Sequence, residues 1–426
     1  MRISHIAAAL LGSALLLNAS VTLDELITMA LKNSPDIDVS RLDFNASTQR
    51  VIKAKSYYLP SIDLNFDAGY GGEDYKNTDM LENNVLKGSI SASQLLYDFG
   101  KTGGGIDGAI SDTNASKSTL QQVISNKIFD VKNAYYRLLQ NRSLLVVHKE
   151  NVDLNQKQLY RSKRYYDAGI KTKIDVTDAK VNLIKSKINL QDNLYDIKLS
   201  RVALEKIIGI ISSNGFGEVY QEQLDFSNIL SSLPKVQMSM SDAEKFAFQH
   251  RYELKSYLYQ VKTAKSKLRT FNADYYPAIS AKADYAAQNV ADTQLFVPEQ
   301  YYQATLNAKW NIFSGFKTNA QTQEARIAIL RAQAMLESAK LKIREEVDNA
   351  FILIFKSLDA LKLSQSLSEA AKEKHVQAQQ RYEHGLSDYI ELQQSRQNYI
   401  DSLASLVTSY YDYYRSLAGL DRAIGR

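Results

Sequence analysis

SYYLPSIDLNFDAGY, residues 56–70, is half of the pattern that decides the fold. Ile62, Leu64, Phe66, Ala68 and Tyr70 alternate with polar residues that include Asp63, Asn65 and Asp67. This period of two makes a strand with one apolar and one polar face. Pro60 closes off any helix before it, because proline removes a donor and pushes the preceding residue towards extended geometry. An ordinary half-buried sheet alternates in the same way. Here the polar face is almost free of large apolar residues, which fits lipid on one side and water on the other. Near the other end of the chain, Tyr302, Ala304, Leu306, Ala308, Trp310 and Ile312 alternate with Gln303, Thr305, Asn307, Lys309 and Asn311.

The stretch also has a partner. DYYPAISAKADYAAQ, residues 274–288, matches it at an offset of roughly 216 residues, and three further matches keep that order, as a tandem duplication requires. LLYDFGKT (95–102) faces NIFSGFKT (311–318), RYYDAGIKTKIDV (164–176) faces RYEHGLSDYIEL (381–392), and LDELITMALKNSPDI faces SDAEKFAFQHRYEL.

Each copy reads as helix, two strands, long helix, turn, helix. Repeat 1 covers 20–208, with strands near 60–72 and 84–98 and helices near 21–57, 101–167 and 173–208. A glycine- and serine-bearing linker, 209–240, leads to repeat 2, 241–420, and a short tail, 421–426. Repeat 2 has strands near 277–290 and 300–313 and helices near 242–275, 317–383 and 389–417. The long helices, ~65 residues each at 1.5 Å per residue, predict rods of about 100 Å that need helix-on-helix packing. Two short helices end to end match one long helix in length. The polar segments GGEDYKNTDMLENN and QNVADTQLFVPE read as loops between paired strands.

Composition narrows the classes. Lys and Arg total 52 against 47 Asp and Glu, interspersed rather than clustered, which argues against a nucleic-acid partner. There is no cysteine, so disulfides and thiolate chemistry are excluded. His148, His250, His375 and His384 have no metal-ligand spacing, and no cofactor or catalytic group is expected. Residues 1–19 carry Arg2 and an apolar run of about a dozen residues, the form of a signal peptide and too short to span a bilayer. The 27 tyrosines suit a membrane–water interface. Trp310 and the pairs Tyr57/Tyr58, Tyr275/Tyr276 and Tyr301/Tyr302 are candidates for an interfacial girdle; packing at the helix–strand junctions is the other reading of the first two pairs.

YDFGKTGGG, residues 97–105, ends like a phosphate-binding P-loop. The glycine such a loop needs farther upstream is Leu95, and the second copy keeps only Lys-Thr. The stretch reads instead as the joint between strand and helix, with Thr102 and Thr318 as candidate caps.

Four strands are too few to close a membrane barrel, and open edges in lipid leave backbone groups unsatisfied. The chain is therefore expected to assemble through its sheet, as two copies with a filled interior or three with a lumen.

The duplicated unit, the signal segment, YDFGKT and IFSGFKT after each strand pair, and RYxxG at the turns resemble the TolC family of outer-membrane export ducts over nearly the whole mature chain. The resemblance implies a homotrimer whose twelve-stranded outer-membrane β-barrel continues into a periplasmic α-helical barrel. It implies passive export of drugs or secreted proteins (type I secretion) delivered by a periplasmic adaptor (membrane fusion) protein and an inner-membrane pump of the ABC, RND or MFS type. Gly169, Ile170, Gly385 and Leu386 would then form the adaptor-contact tip, flanked by Ala168 and His384. Asp175 and Tyr382 match the family's gate, Ser387 stands where the family has arginine, and Glu391 and Gln394 stand at its two acidic constriction rings. Bare helix physics also accounts for glycines at helix ends and acids at helix starts. A structural coiled-coil or adhesin is the competing reading; it has no use for membrane-like strands.

Overall fold

The computed structural model describes residues 21–73, 81–210, 215–219, 229–231, 233–289 and 298–426. The signal segment expected at 1–19 lies outside them, as do residues 74–80 and 290–297 of the two strand-connecting segments and parts of the 209–240 linker.

The elements run α1 (Leu23–Asn33), α2 (Pro35–Ser56), β1 (Ser61–Glu73), β2 (Leu81–Tyr97), α3 (Lys101–Asp167), α4 (Lys173–Ile208), α5 (Met240–His250), α6 (Tyr252–Asn272), β3 (Ala278–Asn289), β4 (Pro298–Lys309), α7 (Lys317–Glu383) and α8 (Tyr389–Ile424). The duplication is visible in their lengths. Both α3 and α7 have 67 residues, α4 and α8 have 36, and α1 and α5 have 11.

The structure corrects four boundaries. The single helices expected over 21–57 and 242–275 are each two. Ser34 (ψ 117°) and Arg251 (ψ 120°) leave the helical region, and each still donates its amide back into the helix before it, to Ala30 and Ala247. Pro35 explains the first break, since its ring disfavours a helical Ser34. At the second, the Arg251 guanidinium donates to the Ala423 carbonyl at 3.1 Å and pairs with Glu346 at 2.8 Å, so tertiary contacts hold the kink. Helix α8 runs past the expected 417 into the 421–426 tail. It stops at Gly425, whose φ of +84° admits the closing bonds Gly425 N to Arg422 O and Arg426 N to Asp421 O. Trp310 and Ile312, read as strand residues, lie past the end of β4.

The chain divides into two compact units. One comprises residues 40–120 and 252–340 and holds the sheet, an antiparallel meander in the order β1-β2-β3-β4. Its register stacks Leu64, Ile90, Tyr285 and Tyr302 in one row, with Ile62, Ala92, Ala283 and Ala304 in the next. The opposite face carries Asp63, Ser91, Asp284 and Gln303 in register, and Lys282 pairs with Asp284 at 2.8 Å.

At the strand-to-helix joints, Phe99 and Gly100 take φ of +54° and +90°, and Gly315 and Phe316 take +62° and +65°. The two joints swap the order of phenylalanine and glycine but keep two left-handed residues. The cap differs from the expected threonines. Asp98 accepts the amides of Gly100 and Thr102 (3.2 and 2.7 Å), and Ser314 Oγ accepts that of Thr318 at 3.4 Å. A carboxylate therefore occupies the amides that a P-loop would offer to phosphate, and Lys101 is spent on Asp274 at 2.7 Å. Gly104 is explained by close packing on α6. A Cβ there would lie 2.7 Å from Thr270 Oγ1 and 3.0 Å from the Ser266 carbonyl.

The other unit comprises residues up to 39, 121–251 and 341–426. Its main core packs Leu26 and Ala30 of α1 against Val131, Tyr135, Leu138 and Val147 of α3, Leu204 and Ile208 of α4, and Ile400, Leu403 and Val407 of α8. Each fully buried aliphatic side chain contributes ~1.5–3 kcal/mol. Phe216 and Val219 of the linker join this core, and Val21 bridges to Val219.

Candidate functional site

Two helical hairpins, α3–α4 and α7–α8, end in matching turns. Gly169 and Gly385 have φ of +71° and +73°. Each turn closes with the same two bonds: Ile170 N to Tyr165 O and Gly169 N to Tyr166 O in one, Leu386 N to Arg381 O and Gly385 N to Tyr382 O in the other. This is the Schellman arrangement, which needs a left-handed residue and so selects glycine. Ile170 and Leu386, at the hydrophobic position of the motif, are exposed instead of packed.

The returning helices start on acids. The Asp175 carboxylate accepts from the Thr172 amide and hydroxyl at 2.9 and 2.8 Å, and Asp388 accepts the Glu391 amide at 2.8 Å. Acids at helix N-termini are further favoured by the dipole.

The two hairpins are tied together behind the turns. Tyr382, Tyr389, Leu392 and Ala179 form a small buried cluster with Leu159 and Tyr165 against it. Asn182 donates to the Tyr389 hydroxyl at 3.0 Å, and Arg161 reaches Glu383 at 2.6 Å. Lys171 Nζ lies 5.1 Å from the Tyr382 ring centre. The Tyr382 hydroxyl has Gln158 and Asp175 as polar neighbours but meets no hydrogen bond of good geometry; burial first, then the Asp175 charge, pushes its pKa up.

The candidates read from the sequence thus gather at one place with different partners. Asp175 and Tyr382 are neighbours, yet Asp175 is bonded to Thr172. Ser387 is half-buried and its hydroxyl lacks a partner. Glu391 is exposed and faces Arg381 Nε at 3.5 Å. Gln394 is exposed and donates to Asn398 at 3.0 Å. Sequence reasoning missed Lys171 and Arg381. Lys171 stands two residues after Gly169, as Ser387 does after Gly385, so the duplication carried that signal.

Above this cluster lies a buried polar layer. Arg396 is 3 % exposed, donates to Asn155 Oδ1 at 3.0 Å, and leaves its Nε unpartnered. Burial lowers its pKa, as burial and the Arg396 charge do for His375.

The sheet has the second functional surface. Leu64 is 82 % exposed and Leu306 77 %, with Ile62, Phe66, Tyr70 and Tyr302 exposed beside them. So large an apolar face is foreign to a monomer in water. It matches the lipid face of a membrane β-barrel. Below it, Tyr57, Tyr58, Tyr275, Tyr276 and Trp310 are exposed; Phe99 stacks on Tyr276 at 4.8 Å, and the Trp310 indole donates to the Tyr275 carbonyl at 3.1 Å. Among the described residues no helix is long and apolar enough to cross a membrane, and no group of side chains could hold a metal ion.

The profile of the outer membrane efflux protein family matches residues 26–210 and 245–426, one match per repeat. The chain belongs to the outer membrane efflux protein family. Outer membrane efflux protein BepC of Brucella suis is 22 % identical over 81 % of this chain and 73 % of its own length. Outer membrane protein TolC of Salmonella enteritidis is 20 % identical over 96 % of this chain and 83 % of its own. The crystal structure of the CusC transmembrane channel superposes with a TM-score of 0.84 at 16 % identity, covering 97 % of this chain and 95 % of that one. The family's small sheet on a dominantly helical fold is the architecture described above. The protein is a transport duct of the outer membrane with a large periplasmic part.

Proposed function

We propose that three copies of this chain form the exit duct of a tripartite export system, taking small molecules or secreted proteins from an inner-membrane pump through a periplasmic adaptor. The four-stranded sheet carries this reading. Among the described residues, β1 and β4 each lack a partner on one side, and the apolar face is bare. Edges are untenable in lipid, so β4 of one copy pairs with β1 of the next, and three copies close twelve strands around an open lumen. A second feature supports assembly. Ile174, Val181, Ile188, Tyr195 and Val202 recur every seven residues along α4 and are all exposed, the pattern of a seam awaiting another helix.

The hairpin turns at Gly169 and Gly385 form the closed end and the surface for the adaptor, with Ala168, Ile170, His384 and Leu386 exposed on it. Opening requires the α7–α8 hairpin to part from α3–α4. The links to break include Lys171–Tyr382, Arg161–Glu383, Asn182–Tyr389 and Arg396–Asn155.

Because the chain has no cysteine, the assembly is directly testable. Asn65→Cys on β1, combined in turn with single cysteines along β4, gives a trimer-sized crosslinked band at one register. A ladder ending at dimers, or monomer at every register, contradicts the twelve-stranded closure.

A further inference from the structure

We propose that Arg381 sets the ion selectivity of the duct by neutralising Glu391 within its own hairpin; this rests on the tip being the constriction. Arg381 Nε is 3.5 Å from Glu391 Oε1, and its Nη2 donates to the Leu386 carbonyl at 3.4 Å. The guanidinium therefore spans the turn, from the end of α7 to the start of α8, and sits on the acid that would line the narrowest ring. Both side chains are more than a third exposed, at 57 % and 42 %. A pair so placed adds little to stability. Its effect on permeant ions is larger, because a fixed charge within a Debye length of ~8 Å shapes the potential in a narrow passage.

Other charged side chains at the tip, among them the exposed Asp167, Lys173 and Asp178, are the same in every variant, so a difference between variants reports this pair. Glu383 is matched by Arg161, and the next position inward, Gln394, is neutral. Asp388 keeps its charge at the α8 cap, so the hairpin stays mildly acidic whatever Arg381 does. On the facing turn Lys171 lies over Tyr382, and Asp175 is held by Thr172. The wild-type duct is thus weakly cation-selective, and Arg381 is the residue that keeps it so. Bulky cationic and anionic cargo then meet similar barriers at the tip.

The test is the reversal potential of the full-length protein in planar bilayers under a KCl gradient. Arg381→Gln shifts it towards the potassium potential, with a several-fold rise in the cation-to-anion permeability ratio. Glu391→Gln shifts it the other way, the double variant returns to near wild type, and Arg381→Lys retains the wild-type value. If Glu391→Gln moves selectivity and Arg381→Gln does not, the inference is overturned while the tip remains the constriction. If channels conduct and none of the variants moves selectivity, the constriction lies elsewhere, and both the inference and the gate reading fall. Exposure of both side chains makes misfolding an improbable confounder, and Arg381→Lys controls for it.

Discussion

Lys171 Nζ stands 5.1 Å from the centre of the Tyr382 ring, linking the turn of one hairpin to the last helical turn of the other. It occupies the position after Gly169 that Ser387 occupies after Gly385. The two turns of the duplication therefore differ at this position, with a cation on one and a hydroxyl on the other. A cation–π contact of this kind is worth ~0.5–1 kcal/mol at an exposed site. Lys171→Ala should therefore raise the open-to-closed ratio of the tip about two- to five-fold, and Lys171→Arg should preserve it. Single-channel open probability is the readout.

Tyr382 is the larger element, since it is buried among Tyr389, Leu392 and Ala179. Tyr382→Ala removes both the ring under Lys171 and the centre of the small cluster. The expected cost is ~3–5 kcal/mol, which is enough to leave the tip mostly unpacked. Hydrogen exchange should show faster amides near the turns and unchanged protection around Leu204 and Val407.

The glycine run after the first joint separates two effects. Gly104→Ala places a Cβ against Thr270 and the Ser266 carbonyl and should destabilise by ~1–3 kcal/mol. At Gly105 a Cβ meets nothing within 4 Å, so Gly105→Ala should stabilise by ~0.5–1 kcal/mol through helix propensity. Thermal melting of the two variants should move in opposite directions.

Much of this was legible in the sequence because it obeys local rules. The period-two runs around Leu64 and Leu306, the break before β1 at Pro60, and the turns at Gly169 and Gly385 each follow from short-range sterics or face patterning. The kink at Arg251 was not legible. No proline marks it; it depends on a guanidinium reaching the end of α8, a contact far away in sequence. Asp98 was overlooked as a cap because two left-handed residues, one of them Phe99, intervene before the helix, so it lies outside the usual cap spacing. Arg381 was visible only as part of the RYEHG motif, since its pairing with Glu391 depends on the closure of the turn.

Arg396 predicts a gain of stability. Among the described residues it is a buried cation with no acidic partner, and removing such a charge relieves its desolvation cost. Arg396→Met should raise the melting temperature, by ~1 kcal/mol or more in stability, and slow hydrogen exchange at the tip. A fall in melting temperature would show that its bond to Asn155 outweighs the cost.

The buried His375 and the half-buried His148 fix the sign of a pH dependence. Burial lowers the pKa of both His148 and His375, and the Arg396 charge adds to the effect at His375. Their stabilising contribution is complete above the unfolded value of ~6.5 and is lost as pH falls through the folded values, because the unfolded chain takes up the protons first. The melting temperature should drop as pH falls from above to below about 6.5, and His375→Gln should flatten that slope.

A water-filled duct held shut by contacts between the two hairpins has a direct electrical signature. Single-channel recording of the purified protein in planar bilayers tests it most directly. Stepwise currents should be small or infrequent in the wild type and should grow in Tyr382→Ala and Lys171→Ala. Membranes that take up the protein yet carry no stepwise current, in the wild type and in both variants alike, would contradict it.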